Sequence, residues 1–225
     1  VDALPSGTWL LDLGTHPLRG LARPERVVQL CHADLPAEFP PLRSLDPALA
    51  HNLATQLTSF VGRVAELVEV CGLVRHHRLV TLTGAGGVGK TRLAIQAGLE
   101  LLGDFPDGVR QVDLAPISDP DAVPLAALRA LGIPDEQGRA AIETITHSLA
   151  HRRVLIVLDN CEHLLDAAAS LVGALLARCG DVTVLATSRE PIGLAGEVTW
   201  RAPSLSLTDE AIDLFGPRIE VLIGT

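Results

Sequence analysis

The chain has two parts that differ in how hydrophobic and polar positions alternate. From about residue 60 onward, short apolar runs alternate with longer segments that carry apolar residues at helical spacing. Nearly continuous apolar runs are typical of parallel strands buried on both faces, so this part predicts a three-layer α/β sandwich with a parallel sheet. Strands are predicted near residues 79–83, 109–114, 153–158 and 182–186, with a fifth near 198–201, and helices near 64–75, 90–102, 121–131, 139–150, 162–178 and 208–214.

The first 57 residues follow a different pattern. Two short β-rich runs, 9–14 and 26–31, are separated by a turn-rich stretch and predict two strands. Four prolines between residues 36 and 47 disfavour regular structure. We therefore expect a short β-containing segment over residues 1–35 and a proline-rich linker over residues 36–57.

A glycine-rich loop stands between the first predicted strand of the α/β part and the helix that follows. Residues 84–91 read GAGGVGKT, which matches the phosphate-binding pattern G-x-x-x-x-G-K-[ST] at every fixed position. Lys90 is the one lysine among 18 basic residues. Its compact ammonium suits the β- and γ-phosphates of a nucleotide, and the hydroxyl of Thr91 suits Mg²⁺. The candidate phosphate-binding residues are Gly84, Gly86, Gly87, Val88, Gly89, Lys90 and Thr91.

A second motif ends the predicted strand at 153–158. Asp159 follows this apolar run as the acid of a Walker B element does, where a carboxylate completes the Mg²⁺ shell; an ordinary strand closed by an Asp-Asn turn is the alternative. Asn160 occupies the place where many P-loop ATPases carry a glutamate base, and an amide cannot accept a proton. Glu162 could serve instead, or could be a first-turn helix residue, so hydrolysis is expected to be slow.

Arg189 stands at the carboxyl end of the predicted strand 182–186, the edge where ligands of open α/β sheets bind. It is a candidate for contacting the terminal phosphate. Considered by residue type alone, a surface arginine paired with Glu190 is the more common arrangement.

Bulk properties narrow the function classes. The net charge is −9 with no basic stripe, which argues against direct nucleic-acid contact. Four irregularly spaced cysteines indicate neither a zinc site nor a disulfide framework. No apolar run is long enough to span a bilayer, so we expect no membrane association and a cytoplasmic location.

Four ordered motifs resemble the nucleotide-binding domain of bacterial STAND regulatory ATPases, relatives of the NB-ARC domain found in LuxR-type transcriptional regulators. They are FVGR at 60–63, the phosphate loop, LIVLDNCEH at 155–163 and ATSREP at 186–191. The resemblance covers residues 58–215 and implies that Val61 and Arg63 lie near the adenine and ribose, and that Arg189 senses the terminal phosphate. Residues 216–225 do not continue the family pattern, so the chain is expected to be a truncated piece of such a regulator.

The leading segment resembles a different family. LGTHPLRGL at 13–21 and RPERVVQL at 23–30 look like the last strands of a class III adenylate or guanylate cyclase domain. This resemblance places the cyclase's metal-binding residues upstream of Val1, so no cyclase activity is expected.

Together these features predict a module that binds ATP or ADP with Mg²⁺ and acts as a nucleotide switch, with other domains or protomers of a parent regulator as further partners. A turnover ATPase and a non-functional remnant are the alternatives.

Overall fold

The computed structural model describes residues 7–16, 25–32, 51–56 and 63–203. The chain divides into two compact units, with the division between residues 50 and 51. The predicted helix at 208–214 and the tail at 216–225 lie outside the described residues.

The first unit contains the two strands expected near the start of the chain. They are β1 (Thr8–His16) and β2 (Glu25–His32), which pair antiparallel with a register irregularity between Asp12 and Thr15. Arg26 Nη2 lies 2.9 Å from Asp12 Oδ2 across the pair. Several large apolar side chains of this unit are exposed, namely Trp9, Leu10, Leu11, Val28 and Leu30.

The second unit contains five strands and five α-helices among the described residues. The strands are β3 (Leu79–Thr83), β4 (Val109–Asp113), β5 (Leu155–Asp159), β6 (Thr183–Thr187) and β7 (Val198–Arg201). The helices are α1 (Val64–His76), α2 (Lys90–Glu100), α3 (Val123–Ala130), α4 (Ala141–Leu149) and α5 (Leu165–Arg178), with 3-10 turns at Pro120–Ala122 and Cys161–His163.

The five strands form one parallel sheet in the order β4-β5-β6-β3-β7. Successive residues of a strand contact opposite layers, as Leu79 and Val80 of β3 do. Helices α1 and α2 pack on one face, and α3, α4 and α5 pack on the other. The predicted three-layer α/β sandwich with a parallel sheet is thus confirmed.

Three helix starts differ from the predictions, and that of α4 lies at Ala141 instead of residue 139. The helix predicted over 162–178 begins at Leu165, because Asn160 has a left-handed backbone (φ 61) and a 3-10 turn over Cys161–His163 follows it. The helix predicted over 121–131 likewise divides into a 3-10 turn and α3. For α3 and α5, a 3-10 turn takes up the first residues of the predicted helix, and apolar periodicity does not distinguish such a turn from the start of an α-helix.

Residues 51–56, within the predicted linker, belong to the second unit and contact its strand β4. The Asn52 side chain donates to the Gln111 and Ala130 carbonyl oxygens (2.9 and 3.0 Å) and accepts from the Gln111 N–H (2.6 Å). This amide supplies a backbone-like pairing for β4. Leu53 is buried over Gly98, where an added Cβ would lie 3.2 Å from the leucine.

No helix in the described part of the chain is both long and apolar enough to cross a membrane.

Candidate functional site

The glycine-rich loop joins the end of β3 to the start of α2, as the sequence predicts. Gly87 and Gly89 have positive φ angles of 79° and 85°, which side chains with a Cβ rarely adopt. A Cβ added at Gly87 would meet no described atom within 4 Å. The loop therefore turns with an open space over its middle.

Lys90, the first residue of α2, is 8% exposed. Its ammonium donates to the carbonyl oxygens of Gly84 and Ala85, at 2.8 and 2.9 Å. In the described structure α2 has no side-chain cap and no acidic residue in its first turn. The positive end of the helix dipole and the ammonium thus lie together at the loop without a neutralising carboxylate on the helix itself.

Asp159 ends β5 and is 2% exposed. Its Oδ1 accepts hydrogen bonds from the hydroxyls of Thr91, at 2.8 Å, and Thr187. Strand β6 lies between β3 and β5, so its last residue brings the second hydroxyl to the acid. Burial raises the pKa of Asp159, the two hydroxyl hydrogen bonds oppose the increase, and the nearby charge of Asp113 adds to it.

Asp113, at the end of β4, is a site residue that the sequence analysis missed. It pairs in register with Asp159 of β5, and its Oδ1 accepts from the Asn160 amide at 3.2 Å. The same amide donates to Asp159 Oδ2 at 3.3 Å, and the Asn160 N–H donates to the Thr187 hydroxyl at 3.0 Å. An acid at the end of a predicted strand was a signal in the sequence. Nothing in the sequence indicated that β4 and β5 are neighbours in the sheet.

Glu162 and Arg189 form an ion pair at the same edge of the sheet. Arg189 Nε lies 3.3 Å from Glu162 Oε1, and the arginine side chain is 67% exposed while the glutamate is 22% exposed. Glu162 lies in the first turn of the 3-10 helix Cys161–His163, and α5 begins after it at Leu165. Among the described residues the partner of Arg189 is thus Glu162 and not Glu190.

Arg63 lies beside the end of the phosphate loop. Its Nη1 is 3.8 Å from the place that a Cβ on Gly89 would occupy, and its Nη2 donates to the Pro203 carbonyl oxygen at 3.0 Å. Arg63 has a left-handed backbone (φ 55) at the start of α1. Val61, predicted beside it, lies outside the described residues.

The described site residues form a continuous series of contacts. Lys90 contacts the loop that Gly84 begins, Thr91 contacts Asp159, and Asp159 contacts Asn160. Gly86, Gly87, Val88 and Gly89 complete the loop. These contacts place the candidates in one site, whereas the roles assigned to them stay predictions.

The residues present fit a phosphate chain with Mg²⁺. A buried ammonium, an uncapped helix start and open space over Gly87 suit phosphate oxygens. A hydroxyl and a carboxylate in contact, Thr91 and Asp159, form an oxygen donor set of the kind that Mg²⁺ prefers. No cluster of three or more histidine, cysteine or acidic side chains suited to a metal occurs in the described ranges.

Comparisons with known proteins show the family to which the chain belongs. The family model "Novel STAND NTPase 1" matches residues 47–192. The chain is 50% identical over 171 residues to the uncharacterized protein Rv0894 of Mycobacterium tuberculosis, a match that spans 76% of this chain and 44% of that protein. It is 56% identical over 146 residues to a second protein of that organism, provisionally named an HTH-type transcriptional regulator, covering 65% of this chain and 16% of the relative.

A solved structure shares the fold. It is a STAND protein with a tetratricopeptide repeat sensor from Pyrococcus horikoshii, with a TM-score of 0.50 and 21% identity over 76% of this chain and 27% of that one. The chain thus spans less than half the length of the relatives described here. Because the family model covers more than half of the chain, the protein belongs to the novel STAND NTPase 1 family.

Proposed function

We propose that this chain is a Mg²⁺-dependent adenine-nucleotide switch with slow or no hydrolysis, acting as a regulatory module of a larger protein. The observation that carries the proposal is the contact between the phosphate loop and the buried acid. Lys90 points its ammonium at the phosphate loop, and the next residue, Thr91, holds the buried acid Asp159. Family membership supports a nucleotide-binding regulatory module.

The phosphate half of the site would act by positioning. Lys90 now donates to two neutral carbonyl oxygens, and phosphate oxygens are stronger acceptors because they are charged. Backbone N–H groups of the loop and of the uncapped α2 start would hold the remaining oxygens. Binding would thus exchange internal contacts of the loop for charge-assisted ones.

The metal half would use Thr91 and Asp159. Bound Mg²⁺ supplies positive charge that neutralises the phosphates. Thr91 would offer its hydroxyl oxygen and Asp159 would act as a carboxylate, whose charge the cation would stabilise against the burial that raises its pKa. Thr187 helps to keep the carboxylate oriented through its hydroxyl.

Slow hydrolysis follows from the groups around Asn160. The amide of Asn160 donates to Asp113 and Asp159 and cannot remove a proton from water. Glu162 is engaged with Arg189. A turnover ATPase is the second candidate, because the carboxylates of Asp113 and Glu162 still lie at the strand ends; sustained phosphate release that Glu162→Gln abolishes would favour it.

The adenosine end of the nucleotide would lie near the start of α1. Arg63 approaches Gly89 from that side, which supports its assignment to the adenine and ribose together with Val61. The sensor role of Arg189 is supported by the proximity of its Nη2, 3.7 Å from a Cβ position on Gly86.

The parent protein is proposed to be a signal-transducing transcriptional regulator. The relative named an HTH-type transcriptional regulator supports this assignment. The antiparallel β1 and β2 agree with the resemblance to the end of a class III cyclase domain. A nucleotide-dependent change at residues 84–91 would then alter the packing of neighbouring domains.

Calorimetric titration of Mg·ATP and Mg·ADP into the purified chain tests the proposal. We expect 1:1 binding to the wild type and a loss of at least about tenfold in affinity for Lys90→Ala, because a charge-assisted contact contributes about 1.5–3 kcal/mol. Arg139→Gln, which removes a cation that pairs with Glu136 at the surface, is the matched control. Absence of binding by wild-type protein that is folded by circular dichroism would refute the proposal.

A further inference from the structure

The ion pair between Arg189 and Glu162 joins two strand ends. Arg189 follows β6 and Glu162 follows β5, and these strands are neighbours in the sheet. Arg189 Nε contacts Glu162 Oε1 at 3.3 Å. The pair is therefore held at the carboxyl edge of the sheet by backbone on both sides.

Arg189 also lies against the phosphate loop. Its Nη2 is 3.7 Å from the place that a Cβ on Gly86 would occupy, in the middle of the loop. The guanidinium thus has Glu162 beside its Nε and the loop beside its Nη2. An anion bound over the middle of the loop would compete with Glu162 for the same cation.

Glu162 has few other groups that stabilise its charge. Its Oε2 is buried and has no hydrogen-bond partner among the described residues. A carboxylate oxygen that is withdrawn from water without a partner raises the free energy of the charged group. Moving Arg189 away would leave this carboxylate without the cation that contacts it. The free energy needed to move Arg189 therefore depends on the charge of Glu162.

We propose that Glu162 sets the preference between ATP and ADP by competing with the terminal phosphate for Arg189, an inference that rests on the proposed function. A triphosphate has the γ-phosphate that can draw Arg189 away, at the expense of the ion pair. A diphosphate lacks that group and leaves Arg189 on Glu162. Glu162 is in this view a specificity-determining residue that weakens ATP binding relative to ADP.

A double-mutant cycle tests the competition. Calorimetry at fixed ionic strength would give the Kd of Mg·ADP and of the Mg²⁺ complex of a non-hydrolysable β,γ-imido ATP for wild type, Glu162→Gln, Arg189→Gln and the double variant. We expect Glu162→Gln to tighten the triphosphate analogue about two- to fivefold, in line with an ion pair that is largely exposed on one side, and to leave ADP unchanged. In the Arg189→Gln background the Glu162 substitution should have no effect.

Glu190→Gln is the matched control. It removes the same charge next to Arg189, from a residue that makes no ion pair with it in the described structure. A tightening by Glu190→Gln equal to that of Glu162→Gln would indicate a general field effect and overturn the inference. The Arg189 side chain is mostly exposed, so Arg189→Gln should remain folded and keep the cycle measurable.

The outcomes separate this inference from the function on which it rests. If folded wild type binds neither nucleotide, the proposed function and the inference both fail. If wild type binds both but Glu162→Gln leaves the ratio of the two Kd values unchanged, or changes it equally without Arg189, only the inference fails. A Glu162→Gln variant that loses phosphate release with an unchanged ratio would identify Glu162 as a base and would likewise overturn it.

Discussion

The two sides of the candidate site hold their charged side chains through different kinds of contact. On the phosphate side, Lys90 rests on two neutral backbone carbonyl oxygens of its own loop. On the acid side, Asp159 is contacted by Thr91 of α2, by Thr187 of β6 and by its own neighbour Asn160, with Asp113 of β4 close by. One side depends on local backbone, and the other depends on the order of strands in the sheet.

This difference has a consequence for binding. The ammonium can exchange a neutral acceptor for a phosphate oxygen with a gain in electrostatic attraction. The buried acid accepts three side-chain hydrogen bonds, while burial raises its pKa and so disfavours its charged form. The contacts of Lys90 on the phosphate side can therefore be exchanged for contacts to a ligand, whereas on the acid side a bound cation would stabilise the charge of Asp159.

The largest expected effect is on Mg·ADP affinity, and it distinguishes the charge of Lys90 from its shape. Lys90→Arg keeps the positive charge, but a planar guanidinium cannot replace a compact ammonium in a position that is 8% exposed. We expect Mg·ADP affinity to fall about 10- to 100-fold, as it would for the loss of one charge-assisted contact. Calorimetric titration of the variant with Mg·ADP measures this affinity. Affinity within about twofold of wild type would show that charge alone is sufficient.

The next effect tests the side-chain network around the acid. Thr187→Val removes the hydroxyl that donates to Asp159 and accepts from the Asn160 N–H. Because partners are left unsatisfied, we expect the free energy of unfolding to fall by about 1–3 kcal/mol in urea denaturation.

Thr81→Val is the matched control on the neighbouring strand β3. The Thr81 hydroxyl is buried without a hydrogen-bond partner in the described part of the chain, so its removal should leave stability unchanged or slightly higher. Equal destabilisation by both substitutions would show that the Asp159 network contributes nothing specific.

The smallest effect concerns pH. Burial raises the pKa of Asp159 above its ordinary value of 3.8. The folded chain therefore binds this proton more tightly than the unfolded chain, and the contribution to stability is greatest below pH 3.8 and declines as pH rises through the folded-state pKa. Since Mg²⁺ needs the carboxylate, Mg·ADP affinity should rise over that same range.

Asp159→Asn should remove this pH dependence and most of the Mg²⁺ dependence of ADP binding. Titrations at a series of pH values with and without Mg²⁺ would measure both. Asp166→Asn, at an exposed position in the first turn of α5, is the charge-matched control. A pH profile that Asp159→Asn leaves unaltered would assign the dependence to another group.

Local features of the sequence predicted the sheet strands and the phosphate loop well. The apolar runs of β3 and β7 match their predicted ranges, and β4, β5 and β6 lie within two residues of theirs. Strand burial on both faces leaves a strong signal in composition. Starts of helices were less predictable, because the left-handed Asn160 and the 3-10 turn after it leave no periodic signal.

Contacts between distant residues were beyond the reach of the sequence. Nothing in the spacing of Asp113 and Asn160 indicates that β4 and β5 are neighbours, and the ion pair of Glu162 with Arg189 depends on β5 lying beside β6. Asn52 was likewise assigned to a linker, yet its amide pairs with the backbone of β4.

The sequence by itself determined the chemistry of the phosphate side, because a glycine-rich loop, a lysine and a threonine act within eight consecutive residues. Only the tertiary structure decided the acid side. Strand order placed Thr187 on Asp159, Asp113 on Asn160, and Arg189 between Glu162 and the loop. The physical reason is that backbone geometry is local, whereas hydrogen bonds and charge pairs at a sheet edge depend on which strands pack side by side.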